Sequence, residues 1–302
     1  MEYILTTENL TKIYGNHRAA DQINIHIKQG EVYGLIGRNG AGKTTVLKMI
    51  CGLSNPTSGS FTFMGKSGAE LKKHMKDIGS LIETPGLFPK MTAFQNVKLK
   101  CLSMGIKDNK YVSSLLEQVG LANVGKKPVQ SFSLGMKQRL GIAIALVGDP
   151  KFIVLDEPIN GLDPQGIAEM RHIIHKLTRE KGLTIIVSSH ILEELVKVAD
   201  SFAIINNGKL LDEFSAEELT KRCSTFISLK TSSSEKATMV LEDMKIGDFE
   251  VLDEQNIRIN SSIEDTSKVI DKLVKSDINV YEFAFKQMTL EDYYLNSTGR
   301  NV

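Results

Sequence analysis

Eight residues, Gly37-Arg38-Asn39-Gly40-Ala41-Gly42-Lys43-Thr44, match the phosphate-loop pattern Gly-x-x-x-x-Gly-Lys-[Ser/Thr] at every fixed position. Glycines let such a loop curl until several backbone N–H groups face one anion. Lys43 adds a point charge for terminal phosphates, and the Thr44 hydroxyl is a ligand for Mg²⁺. Arg38, Asn39, Ala41 and Thr45 complete the expected cradle. A second cluster, Asp156-Glu157-Pro158, follows the apolar run Phe152-Ile153-Val154-Leu155. Ligands of open parallel sheets bind beyond strand ends of this kind. Asp156 is therefore the candidate Mg²⁺ carboxylate, acting directly or through a water. Glu157, one residue on, is the candidate group for polarising a water aimed at a γ-phosphate. Taken alone, the cluster also reads as an acidic turn before a proline; the phosphate loop decides for chemistry.

Those residues need a frame. Glu31 to Ile36 reads as a buried strand entering the loop, and Thr44 to Ile50 as a helix leaving it, its positive end toward the phosphates. Phe152–Leu155 and Leu183–Val187 read as buried strands flanking a helix over 165–181, which predicts a parallel sheet covered on both faces. Tyr3–Thr6 and the alternating Ile23-Asn24-Ile25-His26-Ile27 predict short β segments nearer the start. A basic helix is expected near 66–80, and a helical region over about 88–149.

Past Lys221 the pattern changes. Residues 224–302 read as β (225–230), α (235–244), β (249–253), β (256–260), α (264–275) and β (279–285), the split βαββαβ order. A short last helix starts at Thr289, with Asp292 as partner in a capping box. The reading is an α/β phosphate-loop NTPase over 1–221, with antiparallel β and helical (about 88–149) parts, followed by a small α+β domain over 222–302.

Composition narrows the classes. The chain has 302 residues, 37 basic and 36 acidic side chains, and a net charge of +1, so no nucleic-acid partner is expected. Hydrophobic residues make up 41% and charged residues 24%, the balance of a globular protein. Cys51, Cys101 and Cys223 are few and widely spaced, which fits a reducing compartment better than a disulfide frame or a zinc site. Neither a secretory leader nor an apolar run of about 20 residues is visible. Work at a membrane would then need a second, membrane-crossing chain.

A third motif suggests the family. Gln130-Ser131-Phe132-Ser133-Leu134-Gly135-Met136-Lys137-Gln138-Arg139 reads as a helix start with Ser133 as its cap. Together with the phosphate loop and the strand-end carboxylates it resembles the ATP-binding-cassette ATPases, and the resemblance covers most of residues 1–220. The family segment is Leu-Ser-Gly-Gly-Gln; here Phe132, Leu134 and Met136 are departures, while Ser133 and Gly135 are retained. The resemblance implies that Ser133, Gly135 and Met136 face the γ-phosphate of ATP held by the other subunit of a homodimer. It implies that Tyr14 stacks on adenine, that Asp163 in Asn160-Gly161-Leu162-Asp163-Pro164 crosses the dimer interface, and that His190 contacts the γ-phosphate. Glu83 stands where the family has a Gln facing Mg²⁺ and the membrane partner. Glu83 and the altered signature resemble the bacitracin-exporter and lantibiotic-immunity branch.

The resemblance implies ATP and Mg²⁺ as ligands, a homodimer, a separate transmembrane permease, a cytoplasmic place on the inner membrane face, and export of a peptide antibiotic or similar amphiphile. An importer ATPase or a soluble non-transport ATPase of the same superfamily is the alternative. The soluble branches carry tandem cassettes or long heptad coiled coils, and one phosphate loop without sustained heptads argues against both.

Overall fold

The computed structural model describes residues 3–222, 225–260, 263, 265–287 and 289–297. The chain divides into two compact units between Ala216 and Glu217.

The first unit opens with an antiparallel sheet of β1 (Tyr3–Tyr14), β2 (His17–Ile23) and β3 (His26–Lys28), in which β1 lies centrally. The expected single segment Ile23–Ile27 is instead two strands. Asn24 leaves the ladder, and its side chain accepts from the Asn9 amide at 2.7 Å. Ile23, Ile25 and Ile27 all stay fully buried, so the alternation reported the inward face correctly and missed the break. β4 (Val32–Ile36) leads through the phosphate loop into α1 (Lys43–Ile50). β5 (Ser58–Phe63) returns to pair with β1. Gly59 is required there, because a Cβ would lie 2.2 Å from the Asn9 carbonyl oxygen and the backbone has φ +78°.

The basic stretch near 66–80 is helical only in part. α2 (Gly68–His74) is followed by a 3₁₀ turn, and β6 (Ile78–Leu81) then joins the central sheet. Gly79 and Ser80 dilute the apolar run that marks the other buried strands. Gly79 itself is a packing requirement: a Cβ would sit 2.1 Å from the Ala145 carbonyl oxygen.

The helical part comprises α3 (Ala93–Ser103), α4 (Asn109–Gln118) and α5 (Leu134–Ala145). Thr92 and Gln95 form a reciprocal capping box at the start of α3. β7 (Phe152–Asp156), α6 (Pro164–Lys181), β8 (Thr184–Ser189), α7 (Leu192–Val196), β9 (Ser201–Asn206), β10 (Lys209–Ser215) and α8 (Ala216–Arg222) follow. The central sheet has the order β10-β9-β4-β8-β7-β6. All its pairings are parallel except the β9–β10 hairpin. Every residue of β4, β7 and β8 is buried, as strands covered on both faces must be. One core joins Leu5, Ile23 and Phe63 of the antiparallel sheet to Val46 and Leu47 of α1 and Phe152 and Ile186 of the central sheet. Against that core packs Cys51, and burial pushes its thiol up to about 12.

The second unit begins inside α8 and continues with β11 (Thr225–Thr231), α9 (Ser234–Asp243), β12 (Phe249–Val251), β13 (Asn256–Ile259), α10 (Thr266–Lys275), β14 (Val280–Gln287) and α11 (Leu290–Ser297). Its antiparallel sheet runs β12-β13-β11-β14. Ile227, Leu229, Ile257 and Ile259 pack against Ala237, Leu241, Val269 and Leu273 of α9 and α10. Thr289 and Asp292 cap α11 reciprocally: each side chain accepts from the other residue's backbone amide. Cys223 lies outside the described residues. Among the described residues no helix is long and apolar enough to cross a membrane.

Candidate active site

β4 ends at Ile36, and the chain turns at once through Gly37. A Cβ on Gly37 would meet the Ile205 carbonyl oxygen at 2.5 Å, and one on Gly42 would meet the Ala19 carbonyl oxygen at 2.3 Å. Gly42 also has φ +107° and Gly40 φ +82°, so loop shape and close approach both select glycine here. Gly42 caps α1, and the first helical hydrogen bond runs from the Val46 amide to the Gly42 carbonyl at 3.1 Å. The amides of Lys43, Thr44 and Thr45 therefore face out of the helix start, where an anion is favoured. Tyr14, Arg38 to Thr45 and Glu157 line one open depression. Tyr14 is half exposed, with the Lys12 ammonium 5.1 Å from its ring centre.

The acidic pair is fixed from below by β7 and β8, which place Asp156 beside Ser188 in parallel register. Asp156 is 3% exposed. It accepts from the Thr44 hydroxyl at 2.8 Å on Oδ2 and from the Ser188 hydroxyl at 2.6 Å on Oδ1. The Glu157 amide donates to Ser188 Oγ at 2.9 Å. Glu157 is a non-glycine residue at φ +49°, a conformation that persists only where surrounding contacts enforce it. Its Oε1 lies 3.0 Å from Lys43 Nζ, and its Oε2 is 2.8 Å from His190 Nδ1. Lys43 also donates to the carbonyls of Gly37 at 2.6 Å and Arg38 at 3.2 Å.

The remaining expected residues stand elsewhere. Ser133 caps α5 and accepts from the Met136 amide at 3.2 Å. Ser133, Gly135, Met136 and Asp163 line a second depression, which shares no lining residue with the first. Asp163 caps α6, accepting from the Gly166 amide at 2.9 Å. Glu83, also in the left-handed region at φ +61°, lines neither depression. It accepts from Lys48 Nζ of α1 at 2.5 Å, and that bond raises the Lys48 pKa.

Two of these partners escape a sequence reading. Ser188 had a usable signal, since it sits in the strand-end run Val187-Ser188-Ser189; only the register with β7 shows that it supports Asp156 and Glu157 together. Lys48 had none, because a lysine late in a helix is ordinarily a solvated residue.

Among the described residues no group of three or more His, Cys, Asp or Glu side chains is arranged to hold a metal. The oxygen pair Thr44 and Asp156 suits a hard cation that takes its other ligands from phosphate and water, as Mg²⁺ does.

The comparisons with known proteins agree with this geometry. The sequence profile of the ABC transporter family matches residues 20–160. The bacitracin transport ATP-binding protein BcrA of Bacillus licheniformis is 42% identical over 301 residues, covering 99% of this chain and 98% of that protein. The lantibiotic transport ATP-binding protein SrtF of Streptococcus pyogenes is 46% identical over 210 residues, 70% of this chain and 90% of that one. The dimeric ATP-binding cassette MJ0796, solved in a post-hydrolysis state with ADP and phosphate, superposes with a TM-score of 0.63 at 27% identity, over 70% of this chain and 98% of that one. A phosphate loop, a buried Asp156 and a likeness of this extent lead to one conclusion: the chain belongs to the ABC transporter family, as one of its ATP-binding, ATP-hydrolysing subunits.

Proposed function

We propose that this subunit powers export of a peptide antibiotic of the bacitracin or lantibiotic kind through a separate membrane-spanning permease. It would sit on the inner face of the cell membrane, held there by that partner. Similarity to the bacitracin transport subunit along 99% of the chain supports the cargo class. Residues 1–221 form the cassette in this reading, and 222–302 an accessory domain.

The chemistry rests on one observation: Lys43, Thr44, Asp156 and Glu157 converge at the mouth of the phosphate loop. Tyr14 stacks on the adenine, and the loop amides of Gly37 to Thr45 with Lys43 bind the phosphates. Thr44 and Asp156 would hold Mg²⁺, which when bound draws charge from the β- and γ-phosphates. Glu157 accepts a hydrogen bond from the attacking water and raises its nucleophilicity at the γ-phosphorus. His190, bonded to Glu157 Oε2 at 2.8 Å, would keep that carboxylate oriented and contact the γ-phosphate. Ser133, Gly135, Met136 and Asp163 line a separate depression of the same chain. In a head-to-tail homodimer they would close over the nucleotide of the other subunit. Glu83, tied to α1 through Lys48, couples that site to the permease.

The test is Glu157→Gln, assayed with its permease. Hydrolysis should fall about 10²–10⁴-fold while Mg-ATP binding persists, and the ATP-bound dimer should become long-lived. Turnover at the wild-type rate would remove Glu157 from the reaction.

A further inference from the structure

Lys43 is expected to bind phosphate, yet in this structure its charge is already answered. The side chain is 5% exposed, and among the described residues the only carboxylate ion-paired with its ammonium is that of Glu157, with Oε1 at 3.0 Å. Oε1 is buried and accepts no hydrogen bond of good geometry, so the contact is one of charge. Glu157 is not a loosely swinging counter-ion. His190 holds Oε2 at 2.8 Å, Ser188 Oγ holds the amide at 2.9 Å, and the backbone sits at φ +49°.

We infer that Glu157 is the resident counter-ion of the nucleotide-free site, which phosphate must displace from Lys43 before the carboxylate can engage water. The inference rests on the ATPase reading and adds a second role for the same oxygen. A phosphate cannot take the full charge of Lys43 while Oε1 keeps it. Nucleotide arrival therefore moves the ammonium from carboxylate to phosphate, and Oε1 is left with open acceptor capacity beside the γ-phosphate. The water-polarising group thus exists only when there is something to hydrolyse. After phosphate departs, the carboxylate reclaims Lys43 and competes with rebinding. The ion pair is mostly shielded from water, so screening leaves much of it intact.

Simple repulsion between Glu157 and phosphate predicts part of the same behaviour, and the length of the side chain separates the two. Glu157→Gln removes the charge. Glu157→Asp keeps the charge but shortens the side chain by one carbon–carbon bond, about 1.5 Å, which breaks the contact with Lys43. The experiment is calorimetric titration of the full-length wild type and both variants with ADP in EDTA, where neither metal nor turnover intervenes. A displaced counter-ion predicts that both variants bind ADP roughly tenfold more tightly than wild type, a change of about 1.4 kcal/mol. Tightening by Glu157→Gln alone means repulsion and overturns the inference, as does unchanged affinity in both. If the folded wild type and both variants fail to bind ADP at all, the nucleotide-site reading falls and the inference with it.

Discussion

Ser188 is the residue on which the two carboxylates depend, and Ser188→Ala tests that dependence. The side chain is fully buried. Its hydroxyl donates to Asp156 Oδ1 at 2.6 Å and accepts from the Glu157 amide at 2.9 Å. The amide keeps a second acceptor, the Ser188 carbonyl at 3.2 Å, so its loss is partial. Asp156 keeps only the Thr44 hydroxyl on its other oxygen. A hydrogen bond to a charged group contributes about 1.5–3 kcal/mol, and an orphaned buried oxygen costs a similar amount. The variant should therefore lose about 2–3 kcal/mol. For a unit of this size each kcal/mol moves Tm by about 2–4 °C, which gives a drop of about 4–12 °C in the transition of the first unit. Glu157 should also lose part of its orientation, so ATP hydrolysis should slow about tenfold, a barrier rise of about 1.4 kcal/mol, with nucleotide binding retained. The neighbouring Ser189→Ala is the control, since Ser189 Oγ serves the local Ile191 backbone alone. Scanning calorimetry and steady-state ATPase assays read both quantities. A Tm change under about 1 °C together with an unchanged rate would refute the support assigned to Ser188.

Ser133→Arg should leave ATP binding by the monomer intact and block dimer closure, because a long cation replaces the cap of α5 at the depression proposed to meet the opposing nucleotide; sedimentation with ATP in a Glu157→Gln background reads this, and a surviving dimer would contradict the sandwich at that position. Glu83→Gln should keep folding and most ATP binding, because the shape is conserved while the charge opposite Lys48 is lost. Glu83→Ala should reduce transport-linked resistance in cells more than it reduces the ATPase rate of the isolated subunit. If neither quantity moves with Glu83→Ala, the carboxylate is an ordinary surface group whose exposed ion pair contributes little.

Much of the frame is visible in the sequence wherever a strand is buried on both faces. β4, β7 and β8 are short and buried, and their apolar runs stop at Gly37, Asp156 and Ser188, so pattern and punctuation agree. β6 is hidden for a physical reason: Gly79 is present because the Ala145 carbonyl approaches too closely for any side chain, and glycine erases the very signal that marks a strand. The break between β2 and β3 is hidden differently. Ile23, Ile25 and Ile27 keep a period of two across the gap between the strands, because the burial pattern continues when the ladder does not. In the second unit β11 and β13 alternate cleanly between buried and more open positions, and there the element order follows from the pattern.

The candidate site divides along the same line. Residues proposed to serve phosphate through backbone or strand-end placement, namely the loop, Asp156 and Glu157, announce themselves by spacing, because that chemistry demands fixed neighbours in the chain, whereas His190 is singled out only by the family resemblance. Residues that act through another side chain carry no such spacing. Ser188 is joined to Asp156 by 32 positions of intervening chain, and Lys48 to Glu83 by 35; register in one case and helix phase in the other bring them together. The same reasoning explains why Ser133 and Asp163 look purely structural inside one chain. Each already has local work as a helix cap, and their depression shares no residue with the phosphate loop. A role toward nucleotide becomes physically sensible for them only across a subunit interface, so the dimer is the assumption that the Ser133→Arg experiment tests most directly.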